Sequence, residues 1–120
     1  MSPDDLRALL ALLTDRGTAA WVLDRPGRPA PELVVDHSGL DSVVRALVGR
    51  GFTADVGELP ARIDCRHPRL GAVTIRPCTF DASGAAYGYD DDGPLLLPAD
   101  AFDPIDHPFR SVRPTDGADR

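Results

Sequence analysis

A chain of 120 residues is long enough for one hydrophobic core and too short for a catalytic domain beside a separate substrate domain. Its 42% apolar and 27% charged residues exclude a disordered or collagen-like chain. A formal net charge of −6 opposes the basic footprint that a phosphate backbone demands, which argues against nucleic acid as the main ligand.

The first element is a helix. Ser2 stands as cap, Pro3 at the first helical position and Asp4 and Asp5 in the first turn. Leu6, Leu9, Leu10 and Leu13 then recur at helical spacing, and the pattern ends at Gly17. Ala19 to Leu23 reads as a short buried strand around Trp21, and Leu33 to Val35 as a second. A helix is predicted from about Ser38, with Leu40, Val43, Val44, Leu47 and Val48 on its apolar side and Gly49 and Gly51 at its end. Phe52 to Val56 follows as another strand.

Arg62 to Arg66 and Val73 to Arg76 alternate polar and apolar residues with period two, so each strand has one core face and one wet face. Bringing Ile63 and Cys65 to the same side as Val73 and Ile75 requires an odd-numbered loop. Arg69-Leu70-Gly71, with Gly71 in the left-handed region, is the three-residue choice. That register sets Cys65 opposite Ile75, Asp64 opposite Arg76 and Arg66 opposite Thr74.

Beyond Phe80, turns are predicted at Asp81 to Gly84 and at Asp90 to Gly93, with Tyr87 to Tyr89 as a strand between them. Leu95 to Leu97, followed by Pro98, Pro104, Pro108 and Pro114, reads as an extended segment wrapping the body. One domain over residues 1–114 is expected, with a disordered tail over 115–120. All thirteen basic residues are arginine and aspartate far outnumbers glutamate, which reads as the codon bias of a GC-rich, bacterial genome. With no membrane-length apolar run and no basic-then-apolar leader, a cytoplasmic protein without a membrane partner is predicted. Cys65 and Cys78 lie in separate elements without a second ligand pair, so they read as buried free thiols rather than a zinc site or a disulfide.

Several strings carry a resemblance: Trp21-Val22-Leu23-Asp24, then Glu32-Leu33-Val34-Val35-Asp36, then Val73 to Asp81, and finally Val112-Arg113-Pro114. In this order, over roughly residues 5 to 114, the chain resembles the small antibiotic-type nucleotidyltransferases of the polymerase-β-like superfamily, which include the lincosamide and aminoglycoside adenylyltransferases. The resemblance implies an α+β fold: a small mixed or antiparallel sheet with two helices packed on one face. It also exposes departures. The Gly-Gly that would cradle phosphates after Asp24 is replaced by Arg25-Pro26, and proline removes a backbone N–H that such a nest would use. The family's first two carboxylates fall on Ala30 and Glu32 and its third on Thr74, a poor set of oxygen ligands for two Mg²⁺ ions. Neither Mg²⁺ nor ATP is therefore expected to bind, and no cofactor is assigned. The link from Asp24 to Pro31 is too short for a parallel crossover, so the first two strands should pair antiparallel if they are neighbours.

The candidate site follows from the wet face. Glu32, Asp64 and Arg76 are the catalytic candidates, with Arg62 and Thr74 beside them as ligand-binding residues. Trp21, Tyr87 and Tyr89 are added as further ligand-contacting residues, and no metal ligand is named. Each has a plainer alternative: Glu32 as a strand-edge acid, Asp64 and Arg76 as a cross-strand ion pair worth at most about 1 kcal/mol, Trp21 as core and the tyrosines as edge-strand packing. His37, His67 and His107 read as exposed loop residues, and Asp90 to Asp92 as a solvated turn. Three functions remain in view. The first is a small-molecule enzyme that uses this scaffold for metal-free acid/base chemistry, a rearrangement or cyclisation in bacterial secondary metabolism. The second is a non-catalytic binding, regulatory or antitoxin-like accessory protein, with a homodimer left open. The third is a residual nucleotidyltransferase holding Mg²⁺ on Glu32 and Asp36.

Overall fold

A computed structural model of the chain describes residues 1–56, 62–104 and 110–113. The expected tail over 115–120, His107 and Pro114 lie outside the described residues. Helix α1 spans Pro3–Asp15, with the Ser2 hydroxyl accepting the Asp5 backbone N–H at 3.1 Å. It buries Leu6, Leu9, Leu10 and Leu13 as its spacing predicts. Strand β1 (Ala20–Leu23) turns back into β2 (Glu32–Asp36), and the two pair antiparallel with Leu23 opposite Glu32, as the short link requires. A single 3-10 turn, His37–Gly39, leads into α2 (Leu40–Gly49). That helix buries Val43, Ala46 and Leu47, while Val48, expected on the apolar side, is exposed. One position past Leu47 is a rotation of about 100°, enough to carry Val48 off the stripe.

Strands β3 (Thr53–Val56), β4 (Ile63–His67) and β5 (Gly71–Phe80) follow, then the hairpin of β6 (Ala86–Asp90) and β7 (Gly93–Leu97), and finally β8 (Ser111–Val112). The sheet runs β3-β4-β5-β2-β1-β8. Strand β5 carries β4 along its first half and β6 along its end, both on the edge away from β2. Pairing is parallel for β2 with β5 and for β1 with β8, and antiparallel elsewhere. Strand β8 is also tied to α1: the Arg110 guanidinium donates to the Leu10 carbonyl at 3.3 Å and to the Thr14 hydroxyl.

The β4–β5 register corrects the sequence reading by two residues. Asp64 faces Thr74 and Cys65 faces Val73, so Asp64 is not opposite Arg76. The cause is His67, whose Nδ1 accepts the backbone N–H groups of Arg69 at 3.0 Å and Leu70 at 3.1 Å. The turn therefore closes over Pro68-Arg69-Leu70, and Gly71, at φ +96°, opens β5 instead of ending the loop. The loop remains odd, so the predicted faces survive. His67 is accordingly a turn acceptor packed on Phe52, with ring centroids 5.1 Å apart, rather than a free loop residue.

Both helices lie on one face of the sheet. Their leucines and valines pack with Ala20, Leu33, Val35, Ile63, Cys65, Val73 and Ile75. On the other face Trp21, Leu23, Val34, Cys78 and Val112 pack under Ala86, Leu95 and Leu97 of the β6–β7 hairpin. The hairpin thus folds over half of the face whose alternation suggested open solvent. Cys65 and Cys78 are both free and buried, one in each layer.

Candidate functional site

The rest of that face carries a cluster of arginines and carboxylates. Strand alternation places Glu32 beside Val34 on this side, and the parallel register sets Glu32 level with Thr74 and Val34 level with Arg76. Glu32 is only 4% exposed. Arg25, just beyond the end of β1, grips it with Nε and Nη2 at 2.7–2.9 Å, and Arg76 adds its Nε at 2.8 Å. These are paired, charge-assisted contacts of the strong kind.

A second layer comes from the β6–β7 turn. Asp90 pairs with Arg25 and lies 3.6 Å from both Arg28 and Arg76. Asp91 accepts from Arg76 at 3.1 Å and from Arg62 at 3.2 Å, with Arg28 at 3.6 Å. Arg62 also pairs with Asp64 at 3.4 Å, and Asp64 accepts the Thr74 hydroxyl at 3.2 Å. Burial on its own lowers the affinity of Arg25 and Arg76 for their protons, but the facing carboxylates outweigh it and hold both guanidiniums above their usual range. Burial likewise pushes Asp90 and Asp91 up, and the arginines bring both below the usual carboxylate range.

The structure therefore brings together Glu32, Arg62, Asp64, Thr74 and Arg76. It adds Arg25, Arg28, Asp90 and Asp91, which the sequence reading left out. Asp90 and Asp91 are corrected from a solvated turn to ion-pair partners. Their signal was charge complementarity: an acidic hairpin turn facing an arginine-rich strand end. Trp21 stands elsewhere. Its indole N–H donates to the Asp103 carbonyl at 3.1 Å, and its ring packs against Phe80 and Phe102. The side chains of Tyr87 and Tyr89 point outward, 47% and 63% exposed, and the Tyr87 hydroxyl donates to Asp81 at 2.9 Å. Only the Tyr89 carbonyl reaches the cluster, accepting from Arg76 at 3.4 Å.

Two cavities border this layer. One, of about 330 Å³, is lined by Asp24, Arg25, Arg28, Ala30 and Glu32 and opens beside the cluster. The other, of about 520 Å³, lies at the far end of β2 between Trp21, Asp36, Ser38 and Phe80. Hydrogen bonds from Ser38 hold the Asp36 carboxyl below its usual range. Glu32 and Asp36 are thus separated by the length of β2, roughly 13 Å at the usual strand rise, too far to share one ion. Among the described residues no three His, Cys, Asp or Glu side chains converge on a metal position.

The frame around the cluster is a nucleotidyltransferase-like fold. It is similar to a crystal structure of the lincosamide antibiotic adenylyltransferase LnuA with lincomycin bound, at a TM-score of 0.73, covering 93% of this chain and 80% of that one. The two chains are 15% identical, so the likeness is one of fold alone. No protein-family model and no curated protein sequence matches this chain. Among the described residues no helix is long and apolar enough to cross a membrane.

Proposed function

We propose that the arginine–carboxylate cluster and the cavity beside it form a small-molecule site that works without a divalent metal, performing acid/base chemistry on a nucleotidyltransferase-like fold. One observation carries this reading: both Glu32 oxygens are held by guanidiniums, at the strand position where the family resemblance places a metal-binding carboxylate. A Mg²⁺ ion there would have to displace Arg25 or Arg76 from the Glu32 oxygens they already hold, so the residues present do not suit it. Arg76 and Arg25 supply fixed positive charge able to stabilise negative charge developing on a ligand. Glu32 positions those two guanidiniums. Asp64, engaged by one hydroxyl and one arginine, is the carboxyl we assign to proton exchange.

Titration calorimetry tests the metal-free part: no Mg²⁺-dependent heat is expected from any nucleoside triphosphate, and a Mg²⁺-dependent micromolar signal overturns the reading. Arginine-detected NMR with a fragment set tests the site itself. Ligands should shift the Nε–H resonances of Arg25 and Arg28, which line the cavity, and Arg28→Gln should weaken them without loss of fold. A second reading, a non-catalytic accessory protein, is favoured by one feature: Tyr87, Tyr89 and Leu96 share the outer face of the β6–β7 hairpin and are largely exposed. Sedimentation at rising concentration separates the two, since a constitutive dimer that Tyr89→Ser dissociates supports the accessory role.

A further inference from the structure

We propose that the Asp90–Asp91 turn is an internal stand-in for a small dianion, so that the site recognises a ligand group with two negative charges, such as a phosphate or a compact dicarboxylate. This rests on the small-molecule reading above and specifies its ligand. Among the described residues of the cluster, four guanidiniums (Arg25, Arg28, Arg62 and Arg76) face two carboxylates from the central sheet, Glu32 and Asp64. Without the turn these six groups carry an excess of two positive charges, and the two turn carboxylates cancel it.

Geometry agrees with the charge count. Each of the four arginines meets at least one of the turn carboxylates: Arg25 meets Asp90, Arg62 meets Asp91, and Arg28 and Arg76 meet both. Asp90 and Asp91 thus sit where an anionic ligand of these arginines would sit. Glu32 differs: it is fixed within β2 and orients Arg25 and Arg76 from beneath.

The turn end of the hairpin is held by charge rather than by apolar packing. Ala86, Leu95 and Leu97 anchor the other end in the core, whereas Tyr89 and Asp91 are exposed and the turn's described side-chain partners are the arginines. Asp91 is half-exposed and its pairs with Arg28 and Arg62 are weak and salt-sensitive, so Asp91 yields first to a competing anion, whereas Asp90 pairs with Arg25 in a largely buried site and leaves only when the anion takes over that guanidinium. Arg25 and Arg28 reach the 330 Å³ cavity as well, which gives the rest of such a ligand a place beside its anionic group.

The test compares the wild-type protein with Asp90→Asn/Asp91→Asn by calorimetry at constant ionic strength. Inorganic phosphate and succinate are the dianionic probes and acetate the monoanionic control. The double variant should bind at least one dianion tenfold or more tightly than the wild type, with acetate unchanged. Adding Arg25→Gln should abolish the gain. A variant that melts cooperatively yet binds both dianions within twofold of the wild type overturns the proposal. Should the double variant fail to fold, Asp91→Asn carries the same test, because Asp91 is half-exposed, with at least a threefold gain expected and none overturning it. The phosphate and succinate arms show which anion chemistry the site prefers. Fragment shifts at Arg25 without any dianion gain refute this inference and leave the small-molecule reading standing. Magnesium-dependent nucleotide heat refutes that reading instead.

Discussion

Glu32 and Arg76 are buried together, which makes either one costly to remove alone. Arg76 is 1% exposed, a buried ion-pair partner, and Arg76→Ala should lower stability in urea by about 3–5 kcal/mol. Glu32→Leu/Arg76→Met should recover only part of that loss, because it removes both charges of this pair but also takes from Arg25 its three hydrogen bonds to Glu32, leaving it Asp90. The thiols respond to pH in the opposite way from the carboxylates. Burial, with a smaller contribution from Asp64, pushes Cys65 up to about 11, and burial also pushes Cys78 up to about 11. Both folded values lie above the ordinary thiol value near 9. The stability they contribute is complete below pH 9 and is lost as pH rises from 9 through 11. Chemical denaturation between pH 8 and 11 should show this fall, and a Cys65→Ala/Cys78→Ala variant, though less stable at pH 8, should show a flatter profile. At pH 8 the native thiols should resist an aromatic disulfide reagent that labels both once the protein is unfolded.

The β6–β7 hairpin meets β5 at a point with no spare room. Gly88 pairs with Cys78, and a Cβ added there would lie 2.8 Å from the Cys78 sulfur and 3.0 Å from the Pro77 carbonyl. Gly88→Ala should therefore push the hairpin off β5 and cost about 1–3 kcal/mol, read as a lower Tm. This contact also explains what the sequence could and could not show. Period-two alternation is a local property, and it correctly set Asp64 on one face of β4 and Thr74 and Arg76 on the same face of β5, whereas Glu32 was singled out through the family resemblance. Leucine spacing set α1 in the same way. Arg25, Arg28, Asp90 and Asp91 belong to turns, whose side chains have no period. They meet only because two separate hairpins close over the same strands, a non-local event that local pattern does not encode. The two-residue error at β4–β5 has a similar origin, since it depends on a histidine side chain substituting for a backbone acceptor. Trp21 kept two readings, core and cleft, for a third reason: a buried aromatic in a layer and one lining a cleft leave the same mark in a sequence, and the structure puts it in the core layer.

Across the whole molecule the cluster sets a response to acid. Asp90 and Asp91 lie below the ordinary carboxylate range, so their contribution is present above about pH 4 and is lost as pH falls through their lowered values. Thermal melts from pH 6 to 3 should show the wild type losing more stability than Asp90→Asn/Asp91→Asn, and added salt should narrow the difference. The parallel strand at the sheet's edge has a consequence in time. Hairpins β1–β2, β4–β5 and β6–β7 join neighbours in the chain, whereas β8 reaches β1 only after nearly the entire polypeptide has been looped back. That closure is entropically the most demanding and, among the described residues, brings two strand pairs, Val22 with Ser111 and Leu23 with Val112, together with the Phe102–Val112 bridge, the Ser111–Asp103 hydrogen bonds and the Arg110 contacts to α1. Docking of β8 should accordingly follow the rate-limiting step. In stopped-flow experiments Val112→Ala should speed unfolding and leave the refolding rate unchanged, making this strand the latch that sets how long the native molecule survives rather than how fast it forms.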